Sequence, residues 1–112
     1  MTMKKSVNEK KNDKSAAVRF LEGLGGGALT FGRLIRSIRL GEEESLETFA
    51  AKLGVSRQNL SDIEQERRGV SVERAAAWAD RLGYDRTQFV ELALQAQLDA
   101  ANLELRATCT AR

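Results

Sequence analysis

Apolar residues fall at Leu46, Phe49, Ala50 and Leu53, the i, i+3, i+4, i+7 stripe of a short amphipathic helix. Gly54 breaks the stripe, as expected where a tight exit from a helix needs a residue that tolerates positive φ. A second stripe starts at once with Leu60 and Ile63. Ser56 is placed to cap its free N–H groups, and Val55 and Leu60 have the N′ and N4 spacing of a hydrophobic staple. Two short helices joined so tightly must cross steeply, so the first needs a small residue at the crossing, and Ala50 is placed for that. The pattern predicts a helix-turn-helix whose second helix runs from about Arg57 to Gln65.

The same reasoning extends to both sides. Thr30 is placed to N-cap a first helix buried through Phe31, Leu34, Ile35 and Ile38, with Arg33, Arg36 and Arg39 on its other sides. Leu40-Gly41 is read as its end, and Glu42-Glu43-Glu44 as a solvated acidic turn before Ser45 caps the second helix. Arg67-Arg68-Gly69 reads as a loop. Ser71 then caps a fourth helix with Val72, Ala75, Ala76, Ala79 and Leu82 on its apolar face, Trp78 beside them, and Gly83 as the stop. Asp85 with Gln88 fits a capping box and Tyr84 with Phe89 a staple, so a fifth helix starts near Arg86 and is carried to about Ala101. Phe89, Leu92, Ala93 and Ala96 mark its buried stripe, and Val90, Leu94 and Leu98 add apolar surface beyond it.

The ends follow different rules. From Leu103 the chain alternates strictly, with Leu103, Leu105, Ala107, Cys109 and Ala111 on one side and Glu104, Arg106, Thr108, Thr110 and Arg112 on the other. Period two with threonines argues for a strand over 102–112, and a lone strand after a helical domain must pair with another copy or protein, or stay disordered. Residues 1–15 are polar, lysine-rich and aperiodic, which reads as disorder. A short helix fits 16–24. Gly23 to Ala28 matches G-x-G-x-x-A, but no strand precedes it, so 1–29 is read as a basic arm ending in a flexible linker. The arm fits either a solvated tail or a DNA-contacting segment.

Composition narrows the function. The 112 residues fit one all-α domain over 30–101, with 42% hydrophobic content and no proline. No apolar run spans a bilayer and no signal sequence opens the chain, which predicts a cytoplasmic, nucleoid-associated protein without membrane contact. The single cysteine excludes an internal disulfide and fits a reducing compartment, with Cys109 an unreactive residue of the strand. Residues 1–19 carry six basic and two acidic groups, net +4, while residues 31–92 carry ten and eleven, net −1. Any grip on phosphates must therefore come from locally placed arginines and the arm.

Residues Phe31 to about Leu92 resemble the Xre/Cro-type helix-turn-helix domains of bacterial and phage repressors. The resemblance rests on Phe31-Gly-Arg-Leu-Ile-Arg-Ser-Ile-Arg39, on the run from Ser45 through Glu64, and on Ala79-Asp-Arg-Leu-Gly83. It implies a five-helix, phage-repressor-like fold, and it pairs Glu64 with Arg39. Two positions depart from the family. Leu46 stands where a phosphate-binding glutamine is usual, which puts one phosphate contact in doubt. Glu66 stands where a glycine usually closes the recognition helix, so that helix should run longer or end under strain.

If Leu60 and Ile63 face the core, then at about 100° per residue Gln58, Asp62 and Gln65 face away, flanked by Arg57 and Ser61. These five are the candidate base readers, with Arg57 and Gln58 first because recognition helices read with their N-terminal part. Asp62 either accepts from cytosine N4 or orients Gln58 one turn earlier. Ser56, Asn59, Arg67 and Arg68 are candidate backbone contacts. Trp78 and Tyr84 read as core or staple residues. Leu94, Leu98, Leu103 and Leu105 are candidate dimer contacts.

An enzyme is not expected. There is no histidine, no phosphate-loop lysine, no metal-ligand cluster and no nucleophile–base spacing, so no cofactor is implied. Two readings remain. One is a homodimeric, autoregulatory repressor on an inverted-repeat operator in double-stranded DNA. The other is an antitoxin that neutralises a small cognate toxin and represses its own operon; Arg68 to Tyr84 and Phe89 to Gln95 resemble small antitoxin regulators.

Overall fold

Five helices follow one another in the computed structural model, which describes residues 29–112. They are α1 (Phe31–Gly41), α2 (Leu46–Leu53), α3 (Arg57–Glu64), α4 (Val72–Leu82) and α5 (Arg86–Ala100). The basic arm, the helix expected over 16–24 and the glycine linker lie outside the described residues, except that Leu29 is buried in the core.

Each helix starts at a residue whose side chain accepts from a backbone N–H of the first turn: Thr30, Ser45, Ser56, Ser71 and Asp85. The first four accept from the third helical residue. Asp85 instead accepts from Thr87 at 3.1 Å, one position short of Gln88, so the expected capping box is replaced by a tighter N-cap. The staple holds nevertheless, with the Tyr84 and Phe89 rings 5.7 Å apart.

All five helices close with the same paired backbone bonds, in which one residue at the helix end turns left-handed. Gly54 and Gly83 supply that residue after α2 and α4, with φ of 77° and 80°. After α1 it is Glu43 (φ 55°), not Gly41, which stays within the helix. After α3 it is Glu66 (φ 62°), and after α5 Asn102 (φ 59°). Recognition of the next turn explains the shift at α1. Glu43 N–H bonds Leu40 O and Glu44 N–H bonds Arg39 O, and only a left-handed residue 43 lets both form.

One core joins the elements. Phe49, Phe89, Leu34, Ile35, Leu60 and Ile63 are its largest fully buried members, and Ala50 is buried at the α2–α3 crossing. Phe31 sits between Trp78 (6.3 Å, stacked) and Phe89 (5.8 Å, edge-on), which ties α1 to the α4–α5 pair. Trp78 is therefore a core residue, as its position beside the apolar face implied. The acidic turn is less solvated than expected. Lys52 at the end of α2 donates to Glu44 at 2.8 Å and Glu42 at 3.4 Å, and these carboxylates raise its pKa. Arg81 of α4 donates to Lys52 O, covering a carbonyl that α2 leaves open.

Residues 103–112 form no strand with the described residues. The strand expected here was one that pairs with another copy or protein, and none of the described segments offers it a sheet edge. What the tail meets is a side chain, Gln95. No described helix is long and apolar enough to cross a membrane.

Candidate nucleic-acid interface

The site begins with what fixes α3. Its inner face is Leu60 and Ile63, both essentially buried, and Glu64, whose side chain is 4% exposed. Glu64 accepts two bonds from Arg39 of α1, from Nε at 2.8 Å and Nη2 at 3.0 Å. Arg39 Nη1 donates in turn to Glu44 O, and the Glu64 carboxylate raises the arginine's pKa. One guanidinium thus holds the α1–α2 turn and the end of α3 together.

Two further contacts set the height of α3 on α1. Gly32 is buried, and a Cβ there would stand 2.5 Å from Ile63 O, so the helices approach closer than any side chain permits. A glycine inside an amphipathic helix costs about 1 kcal/mol relative to alanine, and that cost was the only sequence signal for this approach. Glu66 accepts from the Thr30 hydroxyl at 2.9 Å. The departure from the usual glycine therefore does not lengthen α3. It places a strained residue at the helix end, and its carboxylate is anchored to the cap of α1.

With the inner face pinned, the outer face is decided. Arg57, Gln58 and Gln65 are exposed, and Ser61 and Asp62 are partly so. They form a hydrogen-bonded set. Gln58 Nε2 donates to Asp62 Oδ1 at 3.0 Å, Arg67 Nη2 donates to the same oxygen at 3.2 Å, Arg67 Nη1 donates to Gln65 Oε1 at 2.6 Å, and Gln65 Nε2 donates to Ser61 Oγ at 3.2 Å. Asp62 is thus bonded to Gln58 one turn earlier on the same face. Arg67 joins the outer face of α3 instead of standing apart in the loop.

The expected backbone contacts divide. Ser56 is exposed at the N-terminus of α3, where its Oγ accepts from Asn59 N–H at 3.0 Å and its hydroxyl proton remains available to an acceptor. Arg68 is exposed. Asn59 is half-buried, and its Oδ1 is closed off with no hydrogen-bond partner among the described residues. Leu46, in place of the usual glutamine, packs against the core. Leu94 and Leu98 are half-buried on α5, while Leu103 and Leu105 are exposed. No group of described residues could hold a metal ion.

The sequence model of the helix-turn-helix family matches residues 35–89, from the core of α1 through α3 to the staple of α5. Comparison with curated proteins and with solved structures gives no match. The matched span contains the tight α2–α3 turn, the pinned inner face of α3 and its polar outer face. Residues 35–89 belong to the Xre/Cro-type helix-turn-helix family, whose members are DNA-binding transcriptional regulators.

Proposed function

We propose that the protein represses transcription as a homodimer on an inverted-repeat operator, with α3 of each copy in the major groove. The observation that carries this reading is the division of α3. A buried ion pair and two apolar residues fix one side, and the other presents Arg57, Gln58, Ser61, Asp62 and Gln65 to solvent. Arg pairs bidentately with guanine and Gln with adenine, each worth about 1–3 kcal/mol of discrimination. Ser56 and Asn59 at the start of α3, and Arg67 and Arg68 after it, bracket these readers where a phosphate backbone would pass.

One such unit makes few base contacts. Two recognition helices about 34 Å apart would read successive major grooves on one face of the duplex. The apolar surface left on α5 and beyond it, at Leu94, Leu98, Leu103 and Leu105, supplies contacts for the second copy.

Footprinting and competition binding test the assignment. Arg57→Ala and Gln58→Ala should each relax preference at one or two base pairs per half-site. Arg67→Ala should weaken binding to all sequences and flatten the salt dependence. Unaltered base preference in both α3 variants would sink the reading.

A further inference from the structure

The carboxamide of Gln95, on α5, bonds the tail at two points. Its Nε2 donates to Leu105 O at 2.9 Å, and its Oε1 accepts from Ala107 N–H at 2.7 Å. The Nε2 also donates to Asp99 Oδ1 at 2.9 Å, which fixes the amide's orientation. A carbonyl and an N–H two residues apart reach one planar group only when the backbone between them is extended, so the side chain acts as a single rung of a β-ladder. The N–H and C=O of Arg106 then lie on the opposite edge, and those of Glu104 and Thr108 join them as the extended run continues to either side. None of them has a hydrogen bond among the described residues. Leu103 and Leu105 on this segment are 49% and 61% exposed. A pre-extended edge with exposed leucines is a template for another strand.

We propose that Gln95 presents residues 103–108 for antiparallel pairing with the same segment of a second copy, about a two-fold axis at Leu105. This rests on the homodimer reading above and specifies its register. The charges choose it. Centred on Leu105, the ribbon sets Glu104 opposite Arg106 of the partner subunit, twice by symmetry, and uses the free edge groups of both residues. Leu105 then meets Leu105 of the partner subunit, and Leu103 meets Ala107 of the partner subunit. Centred on Arg106, the ribbon would instead set two like charges face to face, which disfavours pairing.

Sedimentation equilibrium of the full chain tests this by charge exchange. Glu104→Arg alone and Arg106→Glu alone each turn two attractive cross-strand pairs into two repulsive ones. Each should weaken the dimer about tenfold. The double variant restores both pairs and should return to within about threefold of the parent. Gln95→Ala should weaken the dimer because it leaves the tail unpresented. A double variant no better than the singles overturns the register, and an unaffected Gln95→Ala overturns the presenting role. A dimer indifferent to truncation after Ala101 overturns the ribbon and leaves the homodimer standing. A chain monomeric at all concentrations overturns both. Thermal melting monitors the helices in each variant, since the substitutions in the tail lie outside them.

Discussion

Arg39 and Glu64 form a two-point ion pair across the α1–α3 contact, with their side chains 12% and 4% exposed. Desolvation offsets much of the attraction in such a pair, so its main effect is on geometry. It fixes the angle at which α3 leaves the body. Removing one partner is a different matter, because the other charge is left buried alone. Glu64→Ala should lower unfolding free energy by about 3 kcal/mol, measured by denaturant titration. Replacing both residues with apolar ones of similar volume should recover much of that loss while leaving operator affinity reduced. Full affinity in such a double variant would show that the pair does not position α3.

Glu43 has positive φ and an exposed side chain, so it carries the backbone cost of a left-handed residue without a contact to offset it. Glu43→Gly should therefore stabilise the fold by about 0.5–1 kcal/mol in thermal or denaturant melts. Glu66→Gly removes the same kind of strain but also the bond from Thr30, and its gain should be smaller. Equal gains at the two sites would mean that the Thr30 contact contributes nothing.

These two glutamates also show where sequence reasoning stops. The apolar stripes, the serine and threonine caps and the glycines at 54 and 83 are local signals, and each helix was legible from them to within a residue or so. Glu43 and Glu66 are not glycines, so nothing local announces their backbone. Gly41, the residue that looked like a stop, is inside α1. The outer face of α3 followed from Leu60 and Ile63 alone, but the bond from Arg67 to Asp62 depends on how the chain turns after Glu66. The contacts of Gly32 with α3, of Thr30 with Glu66 and of Gln95 with the tail join positions far apart in sequence or on separate elements. No periodicity encodes them. The alternating tail was read as a strand because its pattern is that of one. A pattern gives a face but not the neighbour, and the one expected here belongs to another copy or protein.

Tyr84 offers a clean optical probe because it is the only tyrosine in the chain. Burial, with a smaller contribution from the Glu42 carboxylate, pushes its hydroxyl up to about 12. The ordinary value is about 10, so the unfolded chain releases this proton first. Between about pH 10 and 12 the unfolded state binds fewer protons than the folded one, and this group makes stability fall as pH rises; below that window it makes no difference. Phenolate absorbance of the folded protein should therefore rise near pH 12, and that of the urea-unfolded chain near pH 10. A folded-state midpoint at the ordinary value would show that the Tyr84–Phe89 staple is open in solution.

Asp62 sits on the face proposed to read bases, where a carboxylate is repelled by phosphates. Its bonds from Gln58 and Arg67 give it a compensating role. If it holds Gln58 in one rotamer, Asp62→Ala frees both side chains and removes a negative charge from the interface at once. Affinity for random DNA should then rise, while the advantage of the operator over random DNA falls by about fivefold, the worth of roughly one hydrogen bond. Asp62→Asn keeps an acceptor for Gln58 but not the charge. It should raise affinity for both DNAs and preserve most of the discrimination. Competition binding at one fixed salt concentration separates the two effects, because charge acts on every duplex and rotamer control acts only where Gln58 meets its base. Identical behaviour of the two variants would reduce Asp62 to a charge and leave the orientation of Gln58 without consequence for recognition.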